Sequence, residues 1–147
     1  MYQKAFKTLP SPLEGLGVYS NYSYTDSDVY DFVPKDNPLT LGGLSKHVGN
    51  FTLWYYKYNI DAKLSYNYRS SFTRVGSWDP TEITTLGSER TVDASIGYEV
   101  TPKFKLMLQG QNLTNEASTS YFDNDPSHIG SYLDWGRRYL IGFSYSL

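Results

Sequence analysis

Hydrophobic and polar residues alternate along most of this chain, and the alternation is clearest at its end. In residues 139–147 the bulky side chains fall at every second position, and these are Tyr139, Ile141, Phe143, Tyr145 and Leu147. A period of two places successive side chains on opposite faces of a β-strand. The pattern therefore predicts a last strand with one apolar face.

The same period predicts five further strands. They cover residues 15–25, 44–56, 62–72, 91–100 and 103–113. No segment has the 3.6-residue period of a convincing amphipathic helix. We therefore predict an all-β fold, an antiparallel meander of about six strands.

Short and long connections alternate between these strands. Residues 57–61 and 101–102 are short enough for hairpin turns, whereas residues 25–39, 75–89 and 116–129 form connections of about 15 residues each. Ten of the 15 acidic residues lie in the three long loops, against one of the 13 basic residues. The long-loop end of the sheet is therefore negative, which either solvates the loops or makes a rim that binds divalent cations or repels anions.

Composition excludes several classes of protein. The 147 residues include 15 tyrosines and no cysteine, and the formal charge is −2. A helical membrane protein needs about 20 consecutive apolar residues, and a disordered chain is poor in aromatics. The absence of cysteine excludes disulfides and thiolate metal sites. The acidic balance argues against binding to nucleic acid.

The alternation itself leaves two interpretations open. Either the sheet is part of a transmembrane β-barrel, or it belongs to a small soluble β-sandwich or barrel that binds a ligand and packs its apolar faces inward. Aromatic residues gather near both ends of the apolar face, as at two membrane interfaces. They are Tyr55, Tyr98, Phe104, Phe143 and Tyr145 near the short turns, and Tyr22, Tyr24, Tyr68 and Phe72 near the long loops. This distribution favours the membrane.

Charged residues on the opposite face suggest a register for two neighbouring strands. If residues 62–72 and 91–100 pair so that residue numbers sum to 162, Lys63 faces Glu99 and Arg69 faces Asp93. Such opposite-charge pairs suit the watery lumen of a barrel. We predict these two lumen ion pairs.

Other candidate residues carry weaker signals. Exposed aromatics in or beside the long loops, Trp78, Tyr121 and Trp135, either stack on a ligand such as a sugar or a flat chelate, or clamp the loops together. Arg138 is expected to point into the lumen and Arg137 outward, where it would reach lipid phosphate.

No arrangement of residues predicts a catalytic or metal-binding site. His47 and His128 lack carboxylates at metal-binding spacing, and residues 26–28 and 123–125 do not continue into a calcium loop. The chain has no phosphate loop, nucleophile elbow or paired catalytic carboxylates. We predict no catalytic residues, no metal site, no cofactor and no enzymatic activity.

Four segments in order resemble TonB-dependent outer-membrane receptors, whose large barrels are plugged by an N-terminal globular domain. They are GLSKH leading into NFTL (43–53), LSYNYRS (64–70), GQNLTNE (110–116) and GRRYLIGFSYSL (136–147). The last segment is similar to the family's C-terminal signal for outer-membrane assembly. The residues that carry this signal here are Tyr139, Ile141, Phe143, Tyr145 and Leu147, and Leu147 stands where the family usually has a final aromatic residue. The resemblance implies that residues 12–147 form the C-terminal strands of such a barrel and that residues 1–11 are an N-terminal lead-in to them.

The resemblance also implies function and partners. The family takes up scarce ligands such as siderophores, cobalamin or oligosaccharides across the outer membrane of Gram-negative bacteria. Its partners would be membrane lipid, the rest of the barrel and plug, the assembly machinery, and TonB through upstream segments. The first ten residues lack the apolar run of a secretory signal. We therefore expect a receptor fragment that does not transport alone.

Overall fold

The computed structural model describes residues 1–6, 9–27, 41–75, 83–122 and 125–146. The regular elements in these ranges are eleven β-strands. None of the described residues forms a helix that is long and apolar enough to cross a membrane. The predicted all-β fold is confirmed.

Seven strands form one antiparallel sheet in the order β1-β2-β3-β4-β7-β8-β11. The strands are β1 (Tyr2–Ala5), β2 (Leu16–Tyr24), β3 (His47–Lys57), β4 (Ile60–Arg69), β7 (Glu89–Thr101), β8 (Phe104–Gln111) and β11 (Arg138–Tyr145). Six of them are the predicted strands. The seventh, β1, lies within the predicted lead-in and pairs with β2 from Tyr2 opposite Ser20 to Ala5 opposite Gly17.

Two of the long connections contain short strands of their own. These are β5 (Phe72–Val75), β6 (Ile83–Leu86), β9 (Ser118–Phe122) and β10 (Ile129–Leu133), which pair in the order β10-β9-β6-β5. We call this four-stranded unit the loop sheet. Apart from Phe72, which ended the predicted strand 62–72, no strand was predicted here, because segments of four or five residues rich in Ser and Thr show little alternation.

Both predicted hairpin turns are confirmed. Lys57 pairs with Ile60 across a two-residue turn, in which Tyr58 and Asn59 have φ angles of 55° and 60°. Two consecutive residues with positive φ define a type I′ turn, whose twist matches that of the flanking strands. The second short turn joins Thr101 to Phe104. These turns define the short-turn end of the main sheet.

The register separates the two faces of the main sheet as the alternation predicted. Ile96, Leu108 and Ile141 are aligned across three neighbouring strands, and so are Tyr98, Leu106 and Phe143 in the next row. These apolar side chains are exposed, up to 85% for Ile141 and 75% for Phe143. A soluble sandwich would pack this face inward, whereas a transmembrane barrel presents it to lipid.

The predicted register between β4 and β7 is wrong. Their paired residue numbers sum to 158, so Lys63 lies opposite Ser95 and Arg69 lies opposite Glu89. The predicted pairs of Lys63 with Glu99 and of Arg69 with Asp93 are therefore not formed across these strands. The displacement is four residues, an even number, so every side chain keeps its predicted face.

Phe72 also differs from its predicted place in the apolar girdle. It belongs to β5 in the loop sheet and is 7% exposed. The Arg69 guanidinium lies 4.6 Å from the centroid of its ring. The chain leaves the main sheet after Arg69, which interrupts the alternation and buries Phe72 instead of exposing it to lipid.

Candidate functional site

The polar face of the main sheet forms an open trough of about 870 Å³. Amides and hydroxyls dominate its lining, and the charged side chains in it are Lys63 and Asp93. The full lining is Gln3, Tyr19, Asn50, Thr52, Trp54, Lys63, Ser65, Asn67, Thr91, Asp93, Ala94, Ser95, Gln109, Gly110, Gln111 and Asn112. We call this surface the polar trough. Its hydrogen-bonding groups suit water or a polar ligand.

Two aromatic residues that were not among the predicted site residues, Tyr19 and Trp54, line the trough, and Trp54 is the larger. Its indole lies across Gly17 on β2, where a Cβ atom would come within 2.2 Å of the ring. Glycine is therefore required for this close approach. The sequence feature that could have identified Trp54 is a tryptophan at a position on the polar face. Its partner, Gly17, becomes evident only from the register of β2 and β3.

Hydrogen bonds between neighbouring strands cross the trough. The hydroxyl of Thr52 on β3 forms a hydrogen bond of 3.0 Å with the hydroxyl of Ser65 on β4. The Asn67 side chain donates to Asp93 at 3.2 Å, and the other Asp93 oxygen accepts from the backbone N–H of Asn112 at 2.9 Å. Asp93 is thus held by amide donors rather than by the arginine that the sequence register assigned to it.

Asn112 joins the end of β8 to the segment before β11. Its side-chain amide donates to the carbonyls of Glu116 and Gly136, at 3.0 and 3.1 Å, and its Oδ1 accepts from the Glu116 N–H at 2.8 Å. Its φ angle of 51° lies in the left-handed region that asparagine tolerates better than most residues. The resemblance segment 110–116 therefore contains a structural junction.

Arg69 forms an ion pair at the boundary between the main sheet and the loop sheet. Its Nη2 lies 2.9 Å from Glu89 Oε2. The other Glu89 oxygen accepts from the Ser118 hydroxyl on β9 at 3.1 Å. Arg69 was correctly predicted to form an ion pair, but its predicted partner, Asp93, was wrong.

A second cavity of about 380 Å³ lies where the strands leave the main sheet. It is lined by Glu89, Thr91, Gln111, Asn112, Glu116, Ala117, Ser118, Trp135, Gly136 and Arg138. We call it the Trp135 pocket. Thr91, Gln111 and Asn112 also line the polar trough, so the two spaces adjoin.

The two loop aromatics in the described part of the chain, Trp135 and Tyr121, line different cavities. Trp135, which is 76% exposed, lines the Trp135 pocket. Tyr121 lies on β9 and lines a different cavity of about 280 Å³ with Thr85 and Thr119. Trp78 lies outside the described residues. A ligand role for any of them remains a prediction.

The two arginines before β11 have different environments. Arg138 lies opposite Gln111 and lines the Trp135 pocket, on the polar side as expected. Arg137 donates from Nε to the carbonyl of Leu113 at 2.9 Å. Its predicted contact with lipid phosphate stays a prediction.

The last strand forms one edge of the main sheet. Tyr139, Ile141, Phe143 and Tyr145 share its apolar face and are all more than 60% exposed. The Phe143 ring lies 6.3 Å from that of Phe104. Leu147 lies outside the described residues. Recognition of this strand by assembly machinery stays a prediction.

His47 packs among tyrosines at the long-loop end. Its Nδ1 lies 2.7 Å from the Tyr22 hydroxyl, and its ring centroid is 5.2 Å from that of Tyr24. Hydrogen bonds from Lys46 and then Tyr24 hold the pKa of the Asp26 carboxyl below its usual value. Lys46 lies 3.0 Å from Asp26.

Several acidic residues of the predicted negative rim lie outside the described residues. They are Asp28, Asp31, Asp36, Asp79, Glu82 and Asp123. In the described part of the chain, no three His, Asp or Glu side chains come together as metal ligands would. The rim's binding of divalent cations is therefore not tested.

Comparison with known proteins agrees with this geometry. Residues 4–113 match the family model described as TonB dependent receptor-like, beta-barrel, which covers about three quarters of the chain. No curated protein and no solved structure matches the chain. The family is one of outer-membrane receptors and transporters rather than enzymes. The chain belongs to the TonB-dependent receptor β-barrel family, as a segment of such a barrel.

Proposed function

We propose that this chain supplies C-terminal strands, those predicted over residues 12–147 together with β1, to an outer-membrane receptor that takes up a scarce ligand such as a siderophore, cobalamin or an oligosaccharide. The observation that carries the proposal is the contrast between the two faces of the main sheet. One face exposes rows of apolar side chains, and the other forms the polar trough. In a barrel, the first face meets lipid and the second lines the lumen.

The sheet needs further strands to work as a transporter. Its outer strands, β1 and β11, each have one neighbour in the described sheet. In lipid, an open edge would leave backbone N–H and C=O groups unpaired at a cost of several kcal/mol each. We therefore propose that the chain does not transport alone.

The remaining partners follow from the family. They are outer-membrane lipid, the rest of the barrel with its plug, the assembly machinery acting on β11, and TonB through upstream segments. The short-turn end would face the periplasm and the loop sheet the outside, because outer-membrane barrels have short periplasmic turns and longer external loops.

A pair of adjacent cysteine substitutions tests the assignment of the two faces. Leu108→Cys and Gln109→Cys lie next to each other on β8, on the apolar and the polar face. The chain has no cysteine of its own, so each variant carries a single labelling site. Each would be labelled with a polarity-sensitive fluorophore and reconstituted into vesicles containing brominated lipid.

We expect the fluorophore at position 108 to emit at shorter wavelength and to be quenched by the brominated lipid. The fluorophore at position 109 should be quenched by aqueous iodide instead. Equal responses at the two positions would contradict the proposal. A chain that stays monomeric and cooperatively folded in plain buffer would also contradict it.

A further inference from the structure

The Trp135 pocket has the dimensions and lining of a small-ligand site. Its volume of about 380 Å³ falls within the usual range for ligand cavities, about 300 to 1,000 Å³. It presents the indole of Trp135 together with the polar side chains of Gln111, Glu116 and Arg138. A flat apolar ring beside polar groups recognises a ligand that has both an apolar face and polar edges.

Hydrogen bonds hold the backbone turn that carries the exposed indole. The turn that carries Trp135 is closed by a hydrogen bond from the Gly136 N–H to Asp134 Oδ1 at 2.9 Å. Gly136 has a φ angle of 68°, and its carbonyl accepts from the Asn112 side chain at 3.1 Å. An aromatic ring on a fixed turn loses little conformational entropy when a ligand stacks on it.

The charges around the pocket balance. Glu89 is paired with Arg69 at 2.9 Å, and one Glu116 oxygen accepts from the backbone N–H of Arg90 at 3.1 Å. Arg138 has no carboxylate within 4.0 Å in the part of the chain that the structure describes. Glu89 and Glu116 in the lining are thus matched in number by Arg138 in the lining and by Arg69, which pairs with Glu89 from outside it, and this zero net charge favours a neutral ligand.

From these features we infer that the Trp135 pocket binds a ring of a neutral sugar. The apolar face of the ring stacks on Trp135, and its hydroxyls exchange hydrogen bonds with Gln111, Glu116 and Arg138. Hydroxyl groups both donate and accept, so they satisfy the carboxylate and the guanidinium at once. An anionic iron chelate would meet two carboxylates in the lining, those of Glu89 and Glu116, against one guanidinium, that of Arg138, and is therefore disfavoured.

The inference rests on the proposed function and selects one ligand class for it. Thr91, Gln111 and Asn112 line both this pocket and the polar trough. A sugar bound beside Trp135 thus lies next to the uncharged amides and hydroxyls of the trough. Amide and hydroxyl groups that can bind a sugar therefore continue from the Trp135 pocket into the polar trough.

Saturation-transfer NMR on the inserted chain tests the inference. The probes are maltotriose, cellotriose and xylotriose, with a ferric tris-catecholate complex as the anionic alternative. An amine-oxide detergent is needed, because alkyl glycosides are themselves sugars. Leu108→Cys labelling reports in the same sample that the apolar face is in the micelle, so a failure to insert is separated from a failure to bind.

We expect transfer to the ring protons of at least one trisaccharide. Trp135→Ala should weaken its binding about tenfold, in line with the loss of an aromatic anchor. Tyr132→Ala is the matched control, because Tyr132 is also exposed, at 64%, but does not line the pocket. Its binding should match that of the unchanged chain.

Three results would overturn the inference. The inserted chain could show no transfer to any of the three sugars. The Trp135→Ala and Tyr132→Ala variants could bind equally well. The ferric catecholate could bind at the Trp135 pocket in preference to the sugars. In each case the labelled apolar face would still report on the barrel assignment.

Discussion

Removing the Asn112 side chain should destabilise the junction between the end of β8 and the segment before β11. Asn112→Ala deletes three hydrogen bonds to backbone groups of Glu116 and Gly136. Each contributes about 1 kcal/mol net to stability, so together they contribute about 3 kcal/mol. Alanine at a φ angle of 51° adds about 1 kcal/mol of backbone strain. We therefore expect the free energy of unfolding to fall by about 4 kcal/mol.

Asn115 provides a matched control three residues away. It also has positive φ, at 56°, but its side chain makes a single long contact of 3.5 Å to Asp134. Asn115→Ala therefore imposes the same kind of backbone strain and removes little hydrogen bonding. We expect it to cost about 1 kcal/mol.

Urea unfolding in detergent micelles, followed by tryptophan fluorescence, measures both variants. The midpoint should shift while the slope with urea stays the same, because the surface exposed on unfolding does not change. Equal losses for Asn112→Ala and Asn115→Ala would refute the reasoning. They would mean that backbone conformation, and not the side-chain hydrogen bonds, holds this junction.

Three further changes test other parts of the structure. Gly17→Ala should destabilise the sheet by about 1 to 3 kcal/mol in the same urea assay, because its Cβ would lie 2.2 Å from Trp54; an unchanged midpoint would show that the indole moves freely. Phe72→Ala should cost about 3 kcal/mol or more, since Phe72 is 7% exposed; a loss below about 1 kcal/mol would indicate that the loop sheet contributes little to folding. The hydrogen bond from Lys46 lowers the folded-state pKa of Asp26, so its stabilising effect is present above the ordinary value of 3.8 and is lost as the pH falls through the folded-state pKa. Asp26→Asn should therefore remove part of the acid dependence of stability between neutral pH and pH 3, and an identical pH profile would argue against the pair.

The sequence predicted strands where the apolar face is continuous and missed them where it is not. In β11, Tyr139, Ile141 and Phe143 repeat at every second position, and the strand was predicted. The four residues of β1, Tyr-Gln-Lys-Ala, place no two bulky apolar residues at alternate positions, so its sequence carries little sign of a lipid-facing side. Its strand conformation comes from backbone pairing with β2, which a pattern of side chains does not record.

The Trp135 pocket was only partly predictable for a related reason. Trp135 was selected as an aromatic residue beside a long loop. Glu116 and Gln111 come from other parts of the chain, and they join it through the pairing of β8 with β11 and through the Asn112 junction. Sequence alone gives the chemistry of each residue, whereas the register determines which residues share a cavity.

The corrected register also changes what the Arg69 ion pair does. With Asp93 as its partner, Arg69 would have joined two strands within the lumen. Glu89, the observed partner, lies at the first position of β7 and also binds Ser118 on β9. The ion pair itself joins β4 and β7, and the hydrogen bond from Ser118 to Glu89 connects it to the loop sheet beside the Trp135 pocket. Because a shift of four residues preserves the faces, the polar lumen prediction is unchanged, while the electrostatic link moves to the wall of the proposed ligand site.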